Sequence, residues 1–510
     1  MGPKAAGEQL DEALDRLVGK VDTGLSFGHR FAPVPGGHLY PMVTRTAAAG
    51  NGRWPGEDRP EGPVCAAPQW PMPRRSRYTL RAMLTAGAIA EDVKAGRRTA
   101  RSVIEESLGA IARLDGELHA WVHVDRDGAL AAADALARRT PGRDTQLWGV
   151  PIGVKDIIDV AGMPTTAGAA AFAHRMPEYT SDAVVQLRMA GAVVVGKTAT
   201  TEFAYLDPAE TRNPWNLEHT PGGSSSGSAV AVATGMVPIA LGSQTVGSVL
   251  RPAAYCGIVG FKATYGTVPS DSVVPLAWSF DHVGIFARTV EDVRLVLSVY
   301  EGPPGPGAPG DRVAGVPRSF FADRASPAML EAFDGVVELL AREGVQVVEI
   351  EIPAVEEWFA VGRTVLGAEA AAYHRDLFAE HEEEYRPEIR SLIAAGRLIP
   401  ATEYVLAKRV LDDLRSEVEE HFRRVDFLVL PTAPGPAPEG LASTGDSSFC
   451  APASFMGLPA ISLPCGLDEH GLPLGVQIVG DSRQDWELLE FATGLERAIG
   501  FEAKPAICAD

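Results

Sequence analysis

Three stretches place hydroxyls, glycines and a lone amine among apolar residues, where packing gives no reason for them. They are GVPIGVKDI at 149–157, TPGGSSSGSA at 220–229 and GSQTVGSVLRPAA at 242–254. Lys155 ends an apolar run beside Asp156. A lysine there reaches the surface, pairs with an acid, or is buried and loses its charge, becoming an amine that can act as a base. The run Gly222 to Ser228 is too small and flexible to fill a core. It suits a loop that brings backbone N–H groups against a ligand at the start of a helix. A phosphate loop would end in Gly-Lys-Ser/Thr, and this one ends in Gly227-Ser228-Ala229. The same run satisfies G-x-S-x-G, which would make Ser225 the nucleophile of a strand-to-helix elbow, although no His-Gly-Gly-Gly loop precedes it. In the third stretch Gly247-Ser248, followed by Arg251-Pro252, reads by itself as a strand-to-helix turn with a serine N-cap.

The elements that must hold these residues follow from periodicity. Ile89, Val93, Val103, Ile104, Leu108, Ile111 and Leu114, with Leu80 and Met83 before them, fall at helical spacing, and Thr99 is placed to cap the second of two amphipathic helices. LHAWVHV, VPIGV and AGAVVVGK read as strands, ALAAADALARR and SAVAVATG as helices. This alternation predicts an α/β fold with both faces of the sheet covered. GPPGPGAPGD at 302–311 marks a linker or surface loop before a helical, acidic stretch that runs to about 424, in which AEHEEEYRPE is a solvated helix face. FLVLP, AISLPCG and GVQIVG then return to strands, which are expected to complete the same sheet. Ahead of the main domain, residues 1–77 form an extension with a helical start at Leu10 to Val21 and a Gly/Pro-rich remainder.

Composition narrows the function further. The 510 residues carry 46 Lys and Arg against 66 Asp and Glu, a net charge of −20, which repels nucleic acid and anionic lipid. The five cysteines, Cys65, Cys256, Cys450, Cys465 and Cys508, are few and far apart and form no Cys-x-x-Cys pair to seed a metal site or redox motif, which fits a reducing compartment. With acids where a signal peptide would be apolar, and no long apolar run, the expectation is a cytoplasmic protein without a membrane span.

In their order the three stretches resemble the amidase signature family, whose hydrolases use a Ser-cisSer-Lys triad. The resemblance spans about 78 to 500. It includes GVPIGVKDIIDVAGMPTTAGA, GKTATTEFA, NPWN, PGGSSSGSAVAVATGMVPIALGS, YCGIVGFKATYG, SFDHVGIFARTVEDV, GLPAISLPCG and GLPLGVQIVG. It implies an amidase signature fold, a large twisted mixed β-sheet covered on both faces by helices, over residues 78–505 with a helical insert at about 312–424. It also implies that Ser248 is the nucleophile, Ser224 a bridging serine on a non-proline cis peptide, and Lys155 the base. The oxyanion would then meet the backbone N–H groups of Thr245, Val246, Gly247 and Ser248. Gly222, Gly223, Trp278 and Phe280 are further candidates to line the substrate pocket, Trp358 and Tyr373 weaker ones. Asp156, Asp159, Asp281 and His282 read as structural capping groups and Cys256 as a packed small hydrophobe.

The chain departs from the commoner Asp-x-Gly-Gly-Ser-x-Arg pattern. It has Gln244 at the acid, Val246 at a glycine and Arg251 one place late, and Ala199 and Thr201 replace a usual Asn and Pro. The expected activity is hydrolysis of a small carboxamide or related acyl compound through a seryl acyl-enzyme, with no metal or organic cofactor. Esters, carbamates and ureas fit the same chemistry. Alternatives are the transamidating subunit of a tRNA-dependent amidotransferase, or a catalytically silent binding scaffold. The extension has three open roles: covering the pocket, self-association as in a homodimer, or a mobile tail.

Overall fold

The computed structural model describes residues 85–305, 312–352 and 355–508. The N-terminal extension, Leu80, Met83 and Cys65 lie outside the described residues. Helices α1 (Ala86–Lys94) and α2 (Ala100–Leu118) start at Thr85 and Thr99, whose side-chain oxygens accept the N–H of Ala88 and of Ser102. Each cap satisfies an otherwise orphaned first-turn donor. Ile89, Val103, Ile104, Leu108, Ile111 and Leu114 are buried, as their spacing requires.

Strand β1 (Trp121–Val124) leads through α3 (Arg126–Leu136) to β2 (Pro151–Lys155) and β3 (Val193–Thr198). The Ala-rich α4 (Ser226–Ala233) precedes β4 (Ile239–Gln244), and α5 (Leu250–Cys256) precedes β5 (Val259–Lys262) and β6 (His282–Ala287). The expected helical stretch holds β7 (Val313–Val316) and β8 (Gln346–Glu349) as well as long helices α6 (Val355–Tyr373) and α7 (Ala401–His421). Strands β9 (Phe427–Pro431), β10 (Ala460–Leu467) and β11 (Pro473–Gly480) follow, and α8 (Asp485–Ile499) closes the described chain.

Among the described residues these strands form one mixed sheet in the order β1-β3-β2-β4-β6-β5-β10-β11-β9-β7-β8. The expected return of the tail to the same sheet is met, since β10 pairs with β5. The stretch from 312 is tied in too, because β7 runs parallel to β9 and β8 parallel to β7. The fold is α/β. Every residue of β2, β3, β4 and β6 is buried, on both alternating faces, so helices must cover the sheet on both sides. Among the described residues no helix is long and apolar enough to cross a membrane.

One pairing places the site. β2 and β4 are parallel neighbours, with Ile152 opposite Ile239 and Val154 opposite Leu241. Their carboxyl ends therefore open on the same edge, carrying Lys155 and the turn after Gln244 together, where α/β sheets commonly bind ligands.

Candidate active site

Lys155 is completely buried at the end of β2. Its Nζ lies 2.7 Å from Oγ of Ser224 and 2.8 Å from Oγ of Ser243. Asp156 does not serve it, because adjacent strand residues point to opposite faces. The Asp156 carboxylate pairs at 3.1 Å with Lys197, which is also fully buried, and accepts the Thr166 N–H at 3.0 Å. With hydroxyls as its near partners, Lys155 is pushed well below the ordinary lysine pKa by burial, and the charge of Asp281 opposes that only in part.

The serines of the Gly/Ser loop divide sharply. Ser225 donates to the Ser243 carbonyl at 3.1 Å and accepts the Ser243 N–H at 3.2 Å, while Ser228 donates to the Leu241 carbonyl at 2.9 Å. These bonds stitch the start of α4 to β4 and occupy the Ser225 hydroxyl from both sides. The G-x-S-x-G elbow reading is thereby removed. Ser224 faces Lys155, and the Gly223–Ser224 peptide is cis. Ser248 lies in the turn between β4 and α5, 8% exposed, and among the described residues its hydroxyl has no hydrogen-bond partner. Its carbonyl accepts the Ser225 N–H at 3.4 Å, so the two serine loops are joined directly.

Gln244 explains how the turn holds without the usual aspartate. Its Oε1 accepts the N–H groups of Val249 and Leu250 at 2.8 and 3.0 Å, and its Nε2 donates to Ser454 Oγ at 2.9 Å. Ser454 Oγ in turn donates to the Val246 carbonyl at 2.7 Å. Arg251, also buried, donates to the Gly223 carbonyl at 2.6 Å and to the Gly445 carbonyl. The two departures do not pair with each other. Gln244 is held by backbone N–H groups and Ser454, and Arg251 by two backbone carbonyls, with its Nε left unpartnered among the described residues.

Beneath the turn, Asp281 accepts the Thr245 hydroxyl at 2.6 Å and the N–H groups of Leu276 and Ala277 at 2.8 and 2.9 Å. Burial still pushes its pKa up to about 6. His282 sits with Nδ1 2.6 Å from the Phe280 carbonyl and Nε2 3.4 Å from Nζ of Lys262, and burial holds it well below the usual histidine range. Asp159 is bound by Arg175 through both guanidinium nitrogens at 2.5 and 2.7 Å. Cys256 is fully buried, its thiol pKa raised by desolvation, which suits a packed hydrophobe and not a nucleophile.

A cavity of about 460 Å³ opens onto Ser243 and Thr245 and is walled by Tyr265, Trp278, Asp281 and Tyr373. Trp278 is half exposed at this cavity. Phe280 is a correction: it is fully buried against Phe455, with ring centroids 4.8 Å apart, because Asp281 and not Phe280 turns to the cavity. Trp358 is buried in a separate apolar region. Gly222 and Gly223 do not line this cavity. Gly222 has φ +80, and a Cβ there would fall 2.9 Å from Pro252 Cα, while one at Gly223 would fall 2.7 Å from Thr444 Cγ2. Both allow close packing behind Ser224. Residue reading missed Ser243 and Tyr265. The signal for Ser243 was a hydroxyl near the end of an apolar strand, next to the strand that ends in Lys155.

Known proteins resemble this chain over most of its length. The Amidase family model matches residues 102–489. An amidase of Pseudomonas putida is 37% identical over 427 residues, 76% of this chain and 90% of that protein. A glutamyl-tRNA(Gln) amidotransferase subunit of Roseiflexus castenholzii is 34% identical over 476 residues, 82% of this chain and 97% of that protein. A crystal structure of an amidase superposes with a TM-score of 0.76 at 32% identity, covering 81% of this chain and 99% of that one. With a buried lysine, a cis serine and the matched segments in one place, the chain belongs to the amidase signature family.

Proposed function

We propose that the protein is an amide-bond hydrolase acting on a small non-peptide carboxamide or related acyl compound through a seryl acyl-enzyme. The observation that carries this reading is the buried Lys155 amine, 2.7 Å from Ser224 and held by hydroxyls. An uncharged amine accepts the Ser224 proton while donating an N–H to Ser243. Ser224 takes the proton of Ser248, whose oxygen attacks the carbonyl carbon. The tetrahedral oxyanion meets the backbone N–H groups of Thr245, Val246, Gly247 and Ser248. Among the described residues no acceptor engages those of Val246, Gly247 and Ser248, which supports that assignment. The proton returns through Ser224 to the leaving nitrogen, the amine departs, and water repeats the cycle on the ester.

Ser248→Ala and Lys155→Met are expected to abolish turnover of aryl amides while leaving the fold intact. A fluorophosphonate is expected to label the peptide bearing Ser248. Labelling of Ser225, or full turnover by either variant, would overturn the reading. A screen of aryl amides, aliphatic amides, carbamates and esters assigns the bond type.

The name of the Roseiflexus relative favours one second reading, transfer of ammonia as one component of an amidotransferase. Stable co-purification with further subunits, together with glutaminase activity that depends on them, would support it. The −20 charge weighs against direct contact with tRNA by this chain.

A further inference from the structure

A second cavity, about 580 Å³, lies beside the first and shares Tyr265 and Trp278 with it. The shared wall is fixed, because the Tyr265 hydroxyl donates to the Trp278 carbonyl at 2.5 Å. Beyond this wall the chemistry changes. Lys408, Arg415 and Arg483 line the second cavity, against the single carboxylate of Glu369. Glu369 is already occupied: it accepts the Ser279 N–H at 2.8 Å, the Ser279 hydroxyl at 2.5 Å and the Tyr404 hydroxyl at 2.8 Å. Lys408 consequently donates to Ser279 Oγ at 2.7 Å, a neutral acceptor. Among the described residues no carboxylate comes within ion-pair distance of Lys408 or Arg483, and Arg415 has only Asp412, at 3.4 Å. Lys408 and Arg483, without an ion-pair carboxylate among the described residues, and Arg415, paired with Asp412, thus line the cavity with one buried, hydrogen-bonded acid, in a protein whose net charge is strongly negative.

We propose that the substrate carries a carboxylate remote from the scissile amide, received by Lys408 and Arg483 in this second cavity while the amide lies beyond Trp278 in the first. A carboxylate supplies the acceptors these cations lack, and charge-assisted bonds in a partly enclosed site discriminate well against an uncharged analogue. Arg415, whose guanidinium is held by the Phe455 carbonyl at 3.0 and 3.2 Å, contributes charge more than contact. The catalytic end of this inference rests on the hydrolase reading above, whereas the anion site does not.

The test pairs para-nitroanilides of the dicarboxylic half-acids from succinoyl to suberoyl with neutral acyl para-nitroanilides of equal chain length. At the best chain length the wild type is expected to favour the half-acid in kcat/KM by about tenfold or more. Lys408→Gln with Arg483→Gln is expected to erase that preference through KM and leave neutral-substrate turnover unchanged. No preference at any length, or equal loss on both series, overturns the proposal while neutral turnover by Ser248 keeps the hydrolase reading intact. If neither series is hydrolysed, the hydrolase reading falls, and calorimetry with the free dicarboxylates decides the site. Binding by the wild type that the double variant loses upholds it, and absence of binding by the wild type overturns it.

Discussion

Lys155 and Lys197 are both fully buried on neighbouring parallel strands, yet Lys197 sits 3.1 Å from the Asp156 carboxylate while Lys155 sits among hydroxyls. Burial lowers the pKa of both amines, but the Asp156 carboxylate opposes that shift at Lys197, whose role is structural. Lys155 is driven toward neutrality, the state a base requires.

Replacing the two lysines is therefore expected to have opposite consequences. Lys155→Met lowers kcat/KM by roughly 10³-fold or more, without lowering the unfolding midpoint, since a poorly solvated amine is exchanged for an apolar side chain of similar length. Lys197→Met strands the buried Asp156 and destabilises by about 3–5 kcal/mol. Urea denaturation alongside initial rates separates the two.

With Lys155 as the proposed base, the rate is expected to follow its uncharged form. As pH falls through the lowered pKa of this lysine the amine takes a proton and can no longer accept one from Ser224, so kcat/KM falls on the acid side. A profile without an acid limb would contradict this role.

Stability has its own pH signature at Lys262, fully buried beside His282, with its pKa pushed down to about 7 by burial. Between about 7 and the free value of 10.5 the unfolded chain binds the proton that the folded chain lacks, so stability rises with pH across that window. Lys262→Met is expected to remove up to about 1.4 kcal/mol per pH unit from that rise. Denaturation midpoints of both proteins at several alkaline pH values measure it.

Arg251 bridges the Gly223 and Gly445 carbonyls and so fixes the backbone that carries Ser224. Arg251→Met is expected to lower kcat about 10- to 100-fold with a smaller change in KM, because it loosens a group used in the reaction rather than one that binds substrate. Arg251→Lys restores charge but not the two-pronged reach, and its rescue is expected to be partial.

Gln244 satisfies two N–H groups at the start of α5 and one serine hydroxyl. Gln244→Leu leaves the two N–H donors unpaired in a buried turn and takes the donor from Ser454 Oγ, an expected loss of about 2–3 kcal/mol by chemical denaturation. Gln244→Glu keeps the acceptor but buries a charge and removes the donor to Ser454, so it does not restore full stability.

Much of this arrangement was legible in the chain. Helical and strand periods located α2, β2, β3 and the closing strands, and Thr99 marked a cap. The departures at Gln244 and Arg251 were visible as letters, but their partners were not. A glutamine that caps a helix and an arginine that holds a distant carbonyl look the same in sequence as a broken ion pair. Phe280 and Asp281 show the same limit, since neighbours in the chain take opposite environments once the turn is folded.

By itself the sequence determined which residue types could perform acyl transfer, in what order they come, and that an α/β sheet must hold them. Only the tertiary structure decided that Ser243 joins Ser224 at the amine, and that Asp156 belongs to Lys197. Lys155 meets Ser224 and Ser243 across 69 and 88 residues of chain, through strand pairing and side-chain direction. Those are long-range properties of the packed sheet, and no local pattern encodes them.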